Sequence, residues 1–225
     1  MKKEFIVSIF LVLTMVLSGC SSAVDSSAPD NSASDASSNS IQGGSTVTVK
    51  DMKGSVDIPA NPQRIVDVAG LSDELIILGV PFIASANTNM FDGVTVPAYL
   101  QDYFTENKVE IVGNYSGAAG DLNLEKIAEL KPDLIIMNIR HDKVYDQLKA
   151  IAPTLMIDDD INFVSWRGRF QQLGEWFGKQ EKADEWLKAY DARAAELSKQ
   201  VKDVVGDETF AVLEANSVHF GSYYV

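Results

Sequence analysis

Short apolar runs alternate with helical segments over one continuous stretch of this chain, from residue 64 to residue 157. The predicted strands cover residues 64–68, 82–86, 109–112, 134–137 and 154–157, and the predicted helices cover 71–78, 97–104, 124–130 and 144–151. Strands that alternate with helices in this way predict a parallel sheet wrapped by helices, which is a Rossmann-like α/β lobe.

Two features sharpen this prediction. Asn123 is suited to cap the third helix, and Lys131-Pro132 is suited to stop it before the next strand. The run at 134–137 has no polar alternation, which a strand covered on both faces requires. We therefore expect this strand in the middle of the sheet.

The segments on either side of the sheet also have clear patterns. Residues 46–49 and 55–58 alternate apolar and polar side chains around a turn that ends at Gly54, which predicts a hairpin. Apolar residues recur at helical spacing from Trp166 to Phe177 and again after Gly178, so this glycine either separates a short helix from a long one or kinks a single helix. The long part, 181–204, spans roughly 35 Å and leads to a further predicted strand at 209–213.

The N-terminal segment has the composition of an export signal. Lys2 and Lys3 precede an apolar segment, 5–17, that is shorter than the about 20 residues needed to span a bilayer. The segment ends in Leu17-Ser18-Gly19-Cys20, which resembles the bacterial lipobox whose cysteine receives a lipid. The alternative is an ordinary cleavable signal with an incidental cysteine. Because Cys20 is the only cysteine in the sequence, a disulfide framework is excluded.

These patterns predict a domain order. A signal peptide (1–19) and a disordered Ser/Ala/Asp tether (20–45) precede an N-terminal α/β ligand-binding lobe (46–160). Connecting helices (161–206) then lead to the start of a C-terminal lobe (207–225) that we expect to be truncated. The mature protein is expected to be exported and lipid-anchored on the outer face of the cell membrane, in the manner of Gram-positive lipoproteins.

Charge and motifs restrict the function classes. A formal net charge of -13 argues against nucleic acid as a partner, although a few convergent arginines could still hold a small anion. The sequence lacks the Gly-x-Ser-x-Gly elbow, the HExxH helix and the phosphate-binding glycine loop, so we expect no enzyme. Its two histidines, His141 and His219, are far apart, which disfavours direct capture of zinc or manganese.

The chain resembles the iron-siderophore and cobalamin binding proteins of ABC importers. The resemblance rests on segments 51–59, 62–66, 72–80, 123–127 and 131–136, and it extends through 151–154 and 166–190. Segment 140–148 is most similar to the Gram-positive siderophore lipoproteins. The resemblance implies the two-lobed periplasmic-binding-protein fold, in which one rigid helix joins two α/β lobes and the ligand lies between them. The chain departs from that pattern because it ends just inside the second lobe.

The resemblance also implies a function. The protein is expected to be a monomer that captures a ferric siderophore and delivers it to an ABC permease dimer with its ATPase. The siderophore itself would coordinate Fe(III), so no cofactor and no protein metal site are expected. Cobalamin or haem is the alternative ligand for the same fold.

Ligands of open parallel sheets lie beyond the carboxyl ends of the strands, which directs attention to loops 69–72, 87–90, 115–118 and 138–141. Arg140 follows a buried strand and carries a planar fork suited to oxygen-rich anions, unless it pairs with Asp142 or Asp146 at the surface. His141 is a second candidate, although its side chain is adjacent to that of Arg140 and could point elsewhere.

The remaining site predictions concern the connecting helix and the start of the second lobe. Arg167 and Arg169 begin the helix that leaves the first lobe, and their side chains diverge by about 200°. Trp166 is suited either to stack on a ligand or, by its spacing, to pack in the core. His219 and Tyr223 follow the second-lobe strand and are expected to face the cleft.

A permease-docking residue is implied by the resemblance as well. Family members use a glutamate in an Asn-Leu-Glu motif to contact arginines of the permease, and Glu125 occupies that position here. A carboxylate near a helix N-terminus is also favoured by the helix dipole alone.

Overall fold

The computed structural model describes residues 45–89, 92–116, 121–157, 166–208, 211–215 and 220–224. Side chains are described only as far as residue 208. Within these ranges, no helix is both long enough and apolar enough to cross a membrane.

The chain enters the described region through the predicted antiparallel hairpin, formed by β1 (Thr46–Asp51) and β2 (Gly54–Pro59). Asp51 fixes its turn, because one carboxylate oxygen accepts the N–H groups of Lys53 and Gly54 at 2.7 and 2.9 Å. The other oxygen accepts the N–H of Met156 at 2.8 Å. This carboxylate therefore joins the hairpin to the edge of the main sheet.

Five parallel strands form the main sheet in the order β5-β4-β3-β6-β7. They are β3 (Ile65–Asp67), β4 (Ala84–Ser85), β5 (Glu110–Ile111), β6 (Leu134–Asn138) and β7 (Thr154–Ile157). Every residue of β6 is buried, as its unbroken apolar sequence predicts. The expectation that this strand is the middle one was wrong by one place, since β3 occupies the centre and β6 lies beside it.

Short helices connect these strands. They are α1 (Ser72–Leu78), α2 (Gln101–Asn107), α3 (Leu124–Glu129) and α4 (Tyr145–Ile151), with 3₁₀ turns at Ala98–Leu100 and Ile139–Val144. The predicted cap of α3 is present: the side chain of Asn123 accepts the N–H of Lys126 at 2.9 Å. The helix ends before Lys131, whose φ of 46° is incompatible with a continued right-handed helix.

The two faces of the sheet carry separate apolar cores, because successive strand residues point to opposite sides. Ile65, Leu134 and Ile136 pack on the face that also receives α1 and α2. Val66 and Ile135 pack on the opposite face, against α3 and α4. Burial on both faces explains why the strands read as continuous apolar runs.

The connecting region consists of two separate helices, α5 (Trp166–Trp176) and α6 (Gln180–Val205). Gly178 lies between them with a left-handed φ of 62°, so the predicted separation of a short and a long helix is correct. Phe170, Leu173, Ala183 and Leu187 add to the first core. After α6, strands β8 (Ala211–Ala215) and β9 (Phe220–Tyr224) pair antiparallel in a small sheet of their own. The sequence predicted β8 but not β9.

Candidate functional site

The candidate site is the carboxyl edge of the parallel sheet, where the loops after β3, β4, β5 and β6 converge. The first turns of α1 and α3 begin at this same edge, because each helix follows one of these loops directly. Four loops that approach one another at the ends of parallel strands form the usual position for a small-molecule ligand in this architecture.

Asp67, the last residue of β3, organises the first of these loops. Its side chain is fully buried and accepts the N–H groups of Ala69, Gly70 and Leu71 at 3.0, 3.0 and 2.9 Å. The hydroxyl groups of Ser72 and Ser85 donate to it as well, at 2.8 and 3.3 Å. Burial raises the pKa of this carboxyl group, while the hydrogen bonds act in the opposite direction.

The aromatic ring of Tyr115 lies directly against the backbone of Gly70. A Cβ atom at this glycine would come within 2.5 Å of the ring, and the φ of 79° lies in the left-handed region. A residue without a side chain is therefore needed for two independent reasons. The backbone N–H of Tyr115 also donates to the carbonyl oxygen of Ala86 at 2.8 Å, which joins the β5 loop to the β4 loop.

Two buried asparagines hold neighbouring loops together. The side-chain amide of Asn87 donates to the carbonyl of Gly70 at 3.3 Å, and that of Asn138 donates to the carbonyl of Ala69 at 3.1 Å. The side-chain oxygen of Asn138 in turn accepts the N–H of Arg140 at 3.0 Å. These contacts fix the relative positions of three loops that the sequence predicted as ligand candidates.

An acidic pair and an arginine meet beside these loops. Glu74, in the first turn of α1, pairs with Arg169 of α5 at 2.6 Å, and only 12% and 24% of the two side chains are exposed. Burial and the neighbouring carboxyl group of Asp73 raise the pKa of Glu74 to about 8, against the opposing effect of Arg169. Glu74 therefore holds a proton more readily than an ordinary glutamate does, although it contacts the guanidinium group.

Two tyrosines lie close to this group. Desolvation raises the pKa of Tyr99, and the nearby Asp73, Tyr115 and Glu74 raise it further. Tyr99 is nonetheless 72% exposed, which leaves its ring available for contact with a ligand. Tyr99 and Tyr115 thus place two phenol groups near the Glu74–Arg169 pair.

The other predicted residues of α5 face a different helix. The guanidinium group of Arg167 pairs with Asp191 of α6 at 2.7 Å and lies over the rings of Trp166 and Tyr190, at 4.5 and 5.3 Å from their centroids. Trp166 packs edge-on against Trp186 and Tyr190. Arg167 and Trp166 therefore interact with α6, whereas Arg169 interacts with α1.

Arg140 and His141 also take different directions. Arg140 is exposed, and Asp142, one of its predicted surface partners, pairs with Lys53 at 2.6 Å. His141 is fully buried, and neither ring nitrogen makes a hydrogen bond of good geometry. Burial lowers the pKa of His141, although backbone groups near the ring and the charge of Asp121 act in the opposite direction. His141 is thus a neutral side chain inside the lobe. The prediction that it contacts a ligand at the surface does not fit this burial.

Glu125 is exposed in the first turn of α3, at the same edge as the loops. The predicted residues Cys20 and His219 lie outside the described residues, and the side chain of Tyr223 does so as well. The described residues contain no group of three His, Cys, Asp or Glu side chains placed to hold a metal ion.

Sequence reasoning missed three contributors to this edge: Asp67, Glu74 and Tyr99. Asp67 had a signal, because an acidic residue interrupts the apolar strand two positions before Ala-Gly-Leu-Ser. Glu74 had none that would connect it with Arg169, which is 95 positions away. Tyr99 fell within the predicted helix 97–104, and only the three-dimensional arrangement shows it near Asp73 and Glu74.

The sequence matches the family described as "Periplasmic binding protein" over residues 100–225. It is 35% identical over 213 residues to the Bacillus subtilis protein named "Probable siderophore-binding lipoprotein YfiY", covering 93% of this chain and 58% of the relative. It is 28% identical to the iron(3+)-hydroxamate-binding protein FhuD of the same organism, covering 92% of this chain and 58% of that protein. The chain therefore spans a little under three fifths of the length of these relatives.

The fold is similar to that of solved structures, and the match again covers only part of the other chain. The structure of Staphylococcus aureus SirA complexed with staphyloferrin B gives a TM-score of 0.61 at 29% identity and covers 75% of this chain and 56% of the other. The petrobactin-binding protein YclQ of Bacillus subtilis gives a TM-score of 0.62 at 26% identity, with 80% and 61% covered. Both similarities agree with the α/β architecture described above.

Proposed function

Because the chain belongs to the periplasmic binding protein family, we propose that it is the substrate-binding component of an ABC importer that captures a ferric siderophore for iron uptake. The observation that carries this proposal is the carboxyl edge of the sheet, where Asn87 and Asn138 hold the loops together and Tyr99 lies near both Tyr115 and Glu74, the partner of Arg169. Several relatives are named for binding siderophores or iron-hydroxamate complexes, which supports the same ligand class.

The mode of capture follows from the chemistry of such ligands. A siderophore surrounds Fe(III) with its own oxygens, so the protein needs only groups that recognise the outside of the complex. Phenol rings, backbone amides and a guanidinium group provide stacking and hydrogen bonds for that purpose. In this proposal the iron is cargo and the protein contributes no metal ligand. The protein acts as a binding protein and catalyses no reaction.

The proposed architecture places the edge described here against a second lobe. The domain boundaries predicted from the sequence, 46–160 for the first lobe and 161–206 for the connecting helices, leave only 207–225 for the second. The sequence spans 58% of the length of the relative YfiY, so we place the opposite wall of the ligand cleft largely in the part of that length which is not matched here, with contributions from His219 and Tyr223. Arg140 would contact the ligand from the first lobe.

The membrane anchor is also part of the proposal. Signal peptidase would cut before Cys20, and lipid on its thiol would hold the mature protein on the outer face of the membrane. The tether at 20–45 would let the folded lobes reach the permease. Replacement of Cys20 by alanine should release the protein into the medium; a variant that stays in the membrane fraction would contradict the anchor.

In this proposal the monomeric protein docks through Glu125 onto a permease dimer with its ATPase. An exposed carboxylate at the loop edge can steer the receptor toward a positively charged partner. Glu125→Gln should reduce siderophore uptake by cells without changing siderophore affinity. Glu129→Gln, an exposed charge at the other end of α3, provides a matched control. Equal uptake by both variants would remove Glu125 from this role.

Titration of the full-length protein tests the ligand assignment. Tryptophan fluorescence would be followed during addition of ferric hydroxamate, citrate-type and catecholate siderophores, cobalamin, haem and free zinc. We expect saturable binding of at least one ferric siderophore and none of zinc. Saturation by cobalamin, haem or zinc, with no response to any ferric siderophore, would overturn the proposal.

A further inference from the structure

The arginines near the carboxyl edge are already balanced by acidic groups within the protein. In the sequence, Arg140, Arg167 and Arg169 favour an anionic ligand. In the structure, Arg167 is paired with Asp191 and lies over the rings of Trp166 and Tyr190, so its charge is directed to α6. It therefore contributes little attraction for a ligand at the loops.

Arg169 does lie toward the loops, but its charge is offset by acidic side chains. Its guanidinium group contacts Glu74 at 2.6 Å, and Asp73 lies next to Glu74. Two carboxyl groups stand against one guanidinium group here, so the three side chains carry no net positive charge whether or not Glu74 holds a proton. At higher pH the group of three becomes negative.

The other positive charges at this edge also have acidic groups near them. The charges of Arg140 and Asp121 act on the pKa of His141 in opposite directions, so charges of both signs lie near that ring. Lys53 is paired with Asp142 at 2.6 Å. Asp92 and Glu125 add exposed negative charge in the loop after β4 and at the start of α3. Across the described residues, this edge has no surplus of positive charge.

The groups without charge are suited to hold a neutral complex. Tyr99 is largely exposed, the ring of Tyr115 covers Gly70, and the loop backbones are fixed by buried asparagines. Flat rings and preorganised amides bind through contact area and hydrogen bonds, which do not require a charged ligand.

Resting on the proposed function, we infer that the ligand is a ferric complex without net negative charge, of the trihydroxamate class. Three hydroxamate groups balance the charge of Fe(III), whereas three catecholates leave a polyanion. Placing a polyanion against an edge that holds Asp73, Asp92 and Asp121 would be opposed by like charges with no surplus of arginine to compensate. Charge thus selects between siderophore classes that have similar size.

The test compares three ferric complexes on the full-length protein at pH 7 and physiological ionic strength. Ferrichrome supplies a neutral trihydroxamate, ferric enterobactin a tricatecholate polyanion, and ferric citrate a carboxylate complex. Tryptophan quenching should give a Kd for ferrichrome at least about tenfold lower than for either anionic complex. A polyanion that binds as tightly as ferrichrome would overturn the inference and leave the proposed function intact. Binding of none of the three would overturn the proposed function itself.

A variant without the acidic pair tests whether Asp73 and Glu74 cause the preference for an uncharged complex. The double variant Asp73→Asn with Glu74→Gln leaves Arg169 without its acidic neighbours, so it should shift the affinity ratio toward the polyanion by about tenfold. The matched control, Asp184→Asn with Glu196→Gln, removes two carboxylates from the exposed surface of α6. It should leave the ratio unchanged. Equal ratios in both double variants, each shown to be folded by circular dichroism, would exclude the acidic pair as the determinant.

Discussion

The neighbouring strands β3 and β6 each lead into a loop with one fully buried titratable side chain, Asp67 and His141, but the two side chains are held in opposite ways. In the β3 loop, the carboxylate of Asp67 satisfies three backbone N–H groups and two hydroxyl groups. In the β6 loop, His141 is fully buried, and its ring nitrogens lack hydrogen bonds of good geometry. One wall of the site is therefore fixed by a saturated polar network, whereas the other contains a buried histidine that the fold keeps neutral.

The largest expected effect follows from the removal of the acceptor in the β3 loop. Asp67→Ala leaves several buried donors without a partner, each at a cost of about 1–3 kcal/mol, so the free energy of unfolding should fall by at least about 3 kcal/mol. Urea denaturation followed by circular dichroism provides the measurement. Asp57→Ala, an exposed acid on the hairpin, should change stability by less than about 0.5 kcal/mol. Similar losses in both variants would show that Asp67 does not organise its loop.

The next effect concerns the contact between the β3 and β5 loops. Gly70→Ala introduces a Cβ atom that collides with the ring of Tyr115 in addition to the strain of a left-handed backbone. Gly178→Ala is the matched control, because its φ is also positive but no atom lies within 4 Å of the added carbon. We expect the control to lose about 1–2 kcal/mol and Gly70→Ala to lose more, with weaker ligand binding. Equal losses would mean that the Tyr115 contact adjusts freely.

Burial of His141 in the β6 loop should make the protein less stable as the pH falls. Because the folded protein lowers the pKa of His141 below its ordinary value of 6.5, the unfolded chain binds a proton first as the pH falls. The contribution of His141 to the free energy of unfolding is therefore fully present above pH 6.5. It is lost as the pH falls below 6.5, and the free energy of unfolding then falls by up to about 1.4 kcal/mol per pH unit. Unfolding free energies between pH 7 and 5 should fall more steeply for the wild type than for His141→Leu. Parallel slopes would show that His141 is not held neutral.

Glu74, in the helix that follows the β3 loop, should have the opposite effect and make the protein less stable as the pH rises. Its pKa is raised from 4.5 to about 8, so the folded state retains a proton that the unfolded chain has released. The contribution of this group to stability is complete below pH 4.5 and declines as the pH rises toward about 8. Glu74→Gln, which keeps the neutral form at every pH, should remove that decline. A variant with the wild-type slope would place the retained proton elsewhere.

The local elements of this fold could be read from the sequence. The apolar run of β6 predicted a strand buried on both faces, and Asn123 predicted the start of α3. The order of strands could not be read, because an apolar run specifies burial and not neighbours, so β3 and not β6 is central. Strand β9 was missed because Gly221 and Ser222 interrupt its apolar pattern.

The site was predictable only at the level of loops. The strand-end rule identified the correct edge, but the partners of its charged residues come from distant positions, as Glu74 and Arg169 do. Arg167 and Arg169 look equivalent in the sequence, and only the packing of α5 between α1 and α6 separates them. His141 shows the same limit, since burial of its ring depends on the β5 loop.

Locating the iron would test whether the ferric siderophore binds at the carboxyl edge of the parallel sheet. Crystals of the full-length protein with ferrichrome, measured with anomalous scattering at the iron absorption edge, would show the metal position independently of the protein density. We predict a single iron peak beyond the carboxyl ends of β3 and β4, with the siderophore in contact with Tyr99 and Tyr115. An iron peak at the opposite edge of the sheet, or one coordinated directly by protein side chains, would contradict the account.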